Sequence, residues 1–217
     1  MRILITGTGR GGTSLLREVV KGFGIARFYG KEEDRGFFLY DKLPESYLTK
    51  LSLPWKGHAI ENITKFMKQY DNLYIAFSIR HPVDTCMSKI VRGGGISADS
   101  TLEKAIQAVK EFYHIYKTII KLFPKRTITV RMEDLILHSR REVERIAQFF
   151  GTEVTDEALR FYEHNTNRHQ FKRYGREIDK SQISLYKRWD TAFDGYFKEK
   201  QNDVKFLIEA FKEKEVI

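Results

Sequence analysis

The sequence has little cysteine and no long hydrophobic run. Cys86 is the single cysteine among 217 residues, so an intramolecular disulfide is excluded and a reducing compartment is expected. No apolar run approaches the ~20 residues that a membrane-spanning helix requires. The short apolar stretch at the N-terminus lacks the features of a signal peptide. We therefore expect a cytoplasmic protein without a transmembrane segment.

Proline is also scarce, with four residues in the chain, and no stretch has the Gly/Ser-rich or Pro-rich composition of a linker. No internal repeat is found. Hydrophobic residues make up 41% and charged residues 31% of the chain, as in soluble globular proteins. This length and composition predict a single domain over residues 1–217.

Acidic residues are fewer than basic residues, 29 against 38, which gives a net charge of +9. Such a surplus favours anionic partners, among them nucleic acid, phosphorylated cofactors, acidic glycans and lipid surfaces, or it serves solubility alone. A nucleic-acid-binding module would need a continuous basic stripe and an aromatic stacking platform. The sequence shows neither as a motif, so no specific nucleic acid is expected.

Short apolar segments alternate with helical patterns along the chain. The segments 2–6, 55–60, Leu73–Ile79 and 127–130 predict strands, and a long amphipathic helix is predicted at about 101–123. This alternation indicates an α/β fold, a three-layer sandwich with a central parallel sheet like that of the P-loop NTPases. In such sheets, ligands bind beyond the carboxyl ends of the strands.

Two capping boxes predict helix starts, one formed by Ser100 and Glu103 and the other by Ser139 and Glu142. Gly151 is expected to end the second of these helices. The last third of the chain is predicted to be helical.

A glycine-rich turn at residues 7–14 joins the first predicted strand to a helix. It has the spacing of a phosphate-binding P-loop, but Thr13 occupies the position of the usual lysine. Glycines let successive N–H groups face one concavity, to which the helix adds the positive end of its dipole. The missing lysine argues against triphosphate hydrolysis, whereas Arg10 has the geometry to bind a phosphate or sulfonate with two hydrogen bonds.

A second anion site is predicted at the carboxyl end of the strand Leu73–Ile79. Arg80 follows this strand, Pro82 suits the first turn of a helix, and Asp84 complements the helix dipole. Ser88 lies one to two turns into that helix, from which its hydroxyl returns to the same anion.

These segments resemble the sulfotransferase superfamily. Its 5′-phosphosulfate loop is similar to residues 10–16, and its 3′-phosphate motif is similar to the set Arg80, Pro82, Asp84 and Ser88. Segments 130–135, 142–151 and 187–189 are also similar, in the same order along the chain. The resemblance implies an enzyme of EC class 2.8.2, which moves a sulfuryl group from 3′-phosphoadenosine 5′-phosphosulfate (PAPS) to a hydroxyl or amine.

The resemblance also implies which residues bind the donor and its product, adenosine 3′,5′-bisphosphate. The 3′-phosphate would lie between Arg80 and Ser88. Where the cytosolic branch of the family has an aromatic residue, this chain has Met132, so the adenine contacts stay open. The 5′-phosphosulfate would lie over Arg10, Gly11, Gly12, Thr13 and Ser14.

Lys56-Gly57-His58 resembles the Lys-x-His segment of the cytosolic branch. By this resemblance His58 is the general base, with an ordinary pKa near the working pH, and Lys56 stabilises charge on the bridging oxygen. Other branches use a glutamate as the base, for which Glu32, Glu33 and Glu61 are the alternatives. The six histidines are scattered, so no metal site is predicted.

The expected acceptor is a hydroxyl-bearing molecule, with carbohydrates and lipids among the candidates. The segments 26–53 and 91–100 are predicted to be the loops that cover it. The alternative function is a P-loop-type kinase of a nucleotide or small molecule that lacks the usual lysine.

Overall fold

A computed structural model describes residues 1–29, 37, 41–54, 59–93 and 102–164. The predictions for the last third of the chain lie outside these residues. So do Ser100 of the first predicted capping box and the segment 94–100 of the second predicted loop.

The centre of the described fold is a sheet of four parallel strands. In space their order is β2-β1-β3-β4. The residues of β1 and β3 are buried almost throughout, because helices cover both faces, and this explains their continuous apolar runs. The strands are β1 Arg2–Thr8, β2 Tyr47–Leu53, β3 Leu73–Ile79 and β4 Thr127–Arg131.

Helices form a layer on each face of the sheet, with a separate hydrophobic cluster beneath each layer. Phe77 and Phe112 belong to one cluster, and Val19 and Ile146 belong to the other. The first layer comprises α2 Ala59–Gln69, α3 Pro82–Gly93 and α4 Leu102–Leu122, and the second comprises α1 Thr13–Gly22, α5 Met132–Leu137, α6 Ser139–Phe150 and α7 Asp156–Leu159. The predicted three-layer sandwich with a central parallel sheet is confirmed.

Of the strand predicted at 55–60, residues 55–58 lie outside the described residues, and Ala59 and Ile60 belong to a helix instead. The strand next to β1 is β2, which ends at Leu53, and Ala59 already begins α2. Thr, Lys and Ser interrupt the apolar residues of β2, so its sequence looks like that of a loop. Its burial depends on pairing with β1 on one side and on the bridge from Phe28 to Leu48 on the other. The predicted acceptor loop 26–53 therefore contains a strand of the sheet.

The sequence predicts the extent of α4 and the end of α6 correctly, but not the residue that caps the start of α6. α4 matches the predicted long helix, and Gly151 ends α6 in the left-handed conformation, with φ of 64°. However, Ser139 does not cap α6. Because α5 leads directly into α6, the cap position falls on His138, and the Ser139 hydroxyl donates to the Ile136 carbonyl at 3.5 Å.

Within the described ranges, no helix combines the length and the hydrophobicity that crossing a bilayer requires.

We expect Gly22→Ala to lower the stability of the fold strongly. A Cβ on Gly22 would lie 2.5 Å from the Ala158 nitrogen and 2.6 Å from its Cα, so α1 and α7 would be forced apart. Overpacking of this kind costs about 1–3 kcal/mol or more. Chemical denaturation measures the loss.

Gly151→Ala is the matched control for this prediction. Gly151 also has a special position, with φ of 64°, but open space surrounds its Cα, so only the left-handed conformation is penalised, by about 1 kcal/mol. If the Gly22 variant lost no more stability than the Gly151 variant, the close approach of α1 and α7 would be contradicted.

Candidate anion-binding site

The candidate site lies at the carboxyl ends of β1 and β3, which are neighbours in the sheet. The glycine-rich turn follows β1 and leads into α1. Arg80 follows β3 and precedes α3. Since both strands are parallel, the starts of both helices lie on the same edge of the sheet.

The glycine-rich turn is held in a tight, concave conformation. The Gly11 N–H donates to the Thr8 carbonyl at 2.8 Å, and the Ser78 hydroxyl donates to the Gly11 carbonyl at 2.7 Å. Both Arg10, with φ of 74°, and Gly12, with φ of 91°, have positive φ. A left-handed residue between others turns successive N–H groups to one side, which is the geometry of an anion-binding nest.

Glycine is required in this turn by close packing as well as by conformation. A Cβ on Gly11 would lie 2.8 Å from the Thr8 carbonyl oxygen, and one on Gly12 would lie 3.0 Å from the Met132 Cγ. Met132 therefore supports the turn from α5. Gly12, at the cap position of α1, has no side chain that could accept a hydrogen bond from the helix, and the first turn of α1 contains no acidic residue. The N–H groups at the start of α1 therefore favour an external anion.

The two predicted anion sites are joined directly. An Nη1 of Arg80 donates to the Arg10 carbonyl at 3.3 Å, and the Nε of Arg10 donates to the Ser88 hydroxyl at 3.3 Å. Arg80 and Ser88 are buried, with 3% and 2% of their surface exposed. The structure thus brings together Arg10, Arg80 and Ser88, which the sequence places up to 78 positions apart.

Two elements fix the backbone around Arg80. The Tyr113 hydroxyl in α4 donates to the Arg80 carbonyl at 3.3 Å, and Glu133 in α5 accepts the His81 N–H at 2.8 Å. Burial raises the pKa of Tyr113, and the nearby Glu133 raises it further, so the phenol keeps the proton that this bond requires. The backbone of Arg80 is therefore held by α4 and α5, while its guanidinium is held by the Arg10 carbonyl.

Lys50 contributes to the site, although the sequence did not single it out. Its ammonium donates to the Ser14 hydroxyl at 3.3 Å, although only 6% of the Lys50 surface is exposed. Ser14 and the buried Thr13 lie in the first turn of α1. Lys50 could have been identified by recognising residues 47–53 as a strand, but they were predicted to belong to the loop 26–53.

Lys89 is a second cation that sequence reasoning missed. Its Nζ lies 3.5 Å from the point where a Cβ on Gly9 would be. Burial lowers the pKa of Lys89, the neighbouring Cys86 raises it, and the positive charge of Arg10 lowers it. The only signal in the sequence was the position of Lys89 directly after Ser88.

The predicted catalytic residues Lys56 and His58 lie outside the described residues, as do Glu32 and Glu33. In the sequence, Lys56 and His58 follow closely after Leu53, the last residue of β2. Leu53 pairs with Thr8 at the start of the turn. Glu61 is exposed in the first turn of α2. Within the described part of the chain, no cluster of three metal-ligating side chains is found.

Comparison with protein families identifies one match. The model of the sulfotransferase family matches residues 37–156, which is more than half of the 217 residues. A search of curated proteins gave no significant match.

Several solved structures have the same fold at low sequence identity. The sulfotransferase domain from the curacin biosynthetic pathway is similar, with a TM-score of 0.64 at 12% identity over 97% of both chains. A mouse sulfotransferase, SULT7A1 complexed with PAP, has a TM-score of 0.59 at 14% identity over 96% of this chain and 88% of that one. Retinol dehydratase in complex with androsterone and inactive cofactor PAP has a TM-score of 0.57 at 15% identity, over 96% and 82%. The predicted P-loop-like fold is confirmed.

We expect the fold to lose stability as the pH falls below 6.5, the ordinary pKa of histidine, partly because of His81. Burial is the main cause that lowers the His81 pKa below 6.5, although Asp84 and Glu133 oppose it. The unfolded chain then binds a proton at a higher pH than the folded chain. Stability is therefore lost as the pH falls through 6.5 toward the lowered pKa of the folded state.

Thermal denaturation between about pH 7.5 and 5.5 measures this effect. His81→Asn should reduce the fall in Tm across that range. An equal slope for the His81 variant and the unmodified protein would contradict the assignment.

Proposed function

The chain belongs to the sulfotransferase family, and from this premise we propose that it transfers a sulfuryl group from PAPS to an acceptor hydroxyl or amine. The observation that carries the proposal is the direct contact between the two anion sites, through Arg80 and the Arg10 carbonyl. A donor with a phosphosulfate at its 5′ end and a phosphate at its 3′ end has anionic groups that suit two adjacent sites. Two of the structural neighbours are complexes with PAP, which supports the same ligand class here.

In this proposal each end of the donor has its own set of groups. The N–H groups of Gly11, Gly12, Thr13 and Ser14 and the guanidinium of Arg10 bind the 5′-phosphosulfate. Arg80 and the Ser88 hydroxyl bind the 3′-phosphate. Since a guanidinium forms charge-assisted hydrogen bonds to phosphate, and Arg80 is already fixed by its backbone contacts, little ordering is needed on binding.

The donor supplies an activated sulfuryl group whose leaving group is adenosine 3′,5′-bisphosphate. His58 is proposed to accept the acceptor's proton on a ring nitrogen as the acceptor oxygen or nitrogen attacks sulfur in line with the departing phosphate. Lys56 and Arg10 stabilise the negative charge that develops on the bridging oxygen as the S–O bond breaks. These fixed cations can supply the electrostatic stabilisation, so the proposed mechanism does not require a metal ion.

The strand order supports the choice of this base. β2 lies beside β1, and Leu53 pairs with Thr8 immediately before the turn. Residues 55–58 continue the chain from that end of β2. A base there would act beside the 5′ end of the donor, which is the end that carries the transferable group. If a glutamate fills this role instead, Glu32, Glu33 and Glu61 are the candidates.

For the acceptor we propose a small molecule with a free hydroxyl, and carbohydrates and lipids are the classes to compare. Retinol dehydratase, one of the structural neighbours, was solved with androsterone and with retinol, which supports an apolar acceptor as the first to assay. In this proposal the acceptor lies beside the 5′ end of the donor, which carries the transferable group. A cytoplasmic location is proposed with this function.

We expect adenosine 3′,5′-bisphosphate to bind much more tightly than AMP, without a requirement for Mg²⁺. Arg80→Ala should remove this preference, because AMP lacks the 3′-phosphate that Arg80 is proposed to bind. The loss expected for a charged hydrogen bond is about 1.5–3 kcal/mol. Calorimetry with the bisphosphate, AMP and ATP measures it.

Arg140→Ala is the control, since Arg140 is exposed on α6. Unchanged AMP affinity in the Arg80 variant verifies that its fold is intact. A variant that still prefers the bisphosphate would show that the 3′-phosphate site is misassigned. Mg²⁺-dependent ATP binding that exceeds bisphosphate binding would favour the alternative kinase function.

We expect His58→Ala to lower turnover by about 10²–10⁴-fold, the usual contribution of a general base, while the affinity for the bisphosphate stays unchanged. Sulfuryl transfer from PAPS to a panel of apolar and carbohydrate hydroxyl acceptors measures turnover. Unchanged turnover in this variant would assign the base to a glutamate, and Glu61→Gln would be the next variant to test.

A further inference from the structure

Lys89 has an unusual environment for a lysine. It lies in α3 directly after Ser88, and its ammonium approaches the glycine-rich turn at Gly9, 3.5 Å from the position of a Cβ there. Successive residues of a helix point about 100° apart. Ser88 and Lys89 therefore project from adjacent faces of α3. The Ser88 hydroxyl accepts a hydrogen bond from Arg10 of the turn, and the Lys89 ammonium lies near Gly9.

Within the described residues, no carboxylate or hydrogen-bond acceptor pairs with the Lys89 ammonium. Besides burial, the groups that act on it are the Cys86 thiol and, after it, the cation Arg10. Removing the Lys89 ammonium from water near a cation is unfavourable unless an anion balances its charge. The arrangement therefore points to an anionic ligand rather than to a structural ion pair.

Lys50 provides the contrast. Its ammonium also lies near the turn, but it donates to the Ser14 hydroxyl and is almost fully buried. Lys89 is less deeply buried and approaches the turn on the side of α3, where Arg10 lies. Thus the Lys50 ammonium is engaged by Ser14 of the turn, whereas no such hydrogen bond to Lys89 is found among the described residues.

We propose that Lys89 binds the 5′-phosphosulfate end of the sulfate donor, and so supplies from α3 the ammonium that the loop lacks at Thr13. The proposal rests on the proposed function. It assigns the 5′ end because Gly9 and Arg10 belong to the turn, whereas the proposed 3′-phosphate groups are Arg80 and Ser88. A P-loop lysine acts as a point charge on phosphate, and Lys89 takes that role from outside the loop.

The test compares Lys89→Met with the unmodified protein in binding to adenosine 3′,5′-bisphosphate, AMP and adenosine 3′-monophosphate. Methionine keeps most of the apolar stem and removes the charge. We expect the affinities for the bisphosphate and for AMP to fall by a similar factor, about tenfold or more. The affinity for the 3′-monophosphate should stay unchanged. Lys110→Met is the matched control, because Lys110 is exposed on α4.

Thermal denaturation without ligand separates ligand binding from a structural role. Because the buried charge of Lys89 lacks an acidic partner among the described residues, Lys89→Met should keep or raise the Tm of the free protein while it weakens binding. A lower Tm with unchanged affinities would show that Lys89 is structural, and this would overturn the proposal.

Two further outcomes would also overturn the inference. An equal loss for the 3′-monophosphate would move the contact to the other end of the donor, and affinities equal to those of the Lys110 control would show no contact. If the unmodified protein failed to prefer the bisphosphate over AMP, the proposed function would fail and this inference with it. The first two results leave the proposed function intact, so the failures are distinguishable.

Discussion

The hydrogen bond from the Arg80 guanidinium to the Arg10 carbonyl is the contact on which the site depends. It joins the segment after β3 to the turn after β1. β1 and β3 are neighbours in the sheet, although β2 and α2 lie between them in the sequence. A parallel sheet places the two segments on one edge, and the hydrogen bond fixes the distance between them. A ligand with two anionic groups can then contact both sites without rearranging the backbone.

Polar groups are buried at this edge of the sheet. Arg80, Ser88 and Lys50 are almost fully buried, and burial of charge is costly unless hydrogen bonds or opposite charges compensate it. The Arg10 carbonyl accepts a hydrogen bond from the Arg80 guanidinium, and the Ser14 hydroxyl accepts one from Lys50. Tyr113 and Glu133 hold the backbone at positions 80 and 81. The long-range packing of α4 and α5 therefore fixes the backbone from which Arg80 projects, which local sequence alone only places at a strand end.

The sequence predicted those parts of the site that local spacing determines. Arg80 and Ser88 were singled out because their eight-residue spacing spans the start of one helix, and the turn was singled out because its glycines lie close together in the chain. Lys50 was missed because its burial depends on β2 pairing with β1, opposite Ile5, and Thr, Lys and Ser make that strand look polar. The cap at Ser139 was mispredicted because α5 ends at Leu137 and His138 is both its C-cap and the N-cap of α6, which local propensity does not reveal.

The distribution of cations around the turn has a consequence for the link between folding and binding. Arg10, Lys50, Arg80 and Lys89 come from four different elements, and only the folded sheet brings them together. Cations gathered in one place attract an anion. An anion that bound only the folded chain would stabilise it by mass action, so binding of the proposed donor would be coupled to folding.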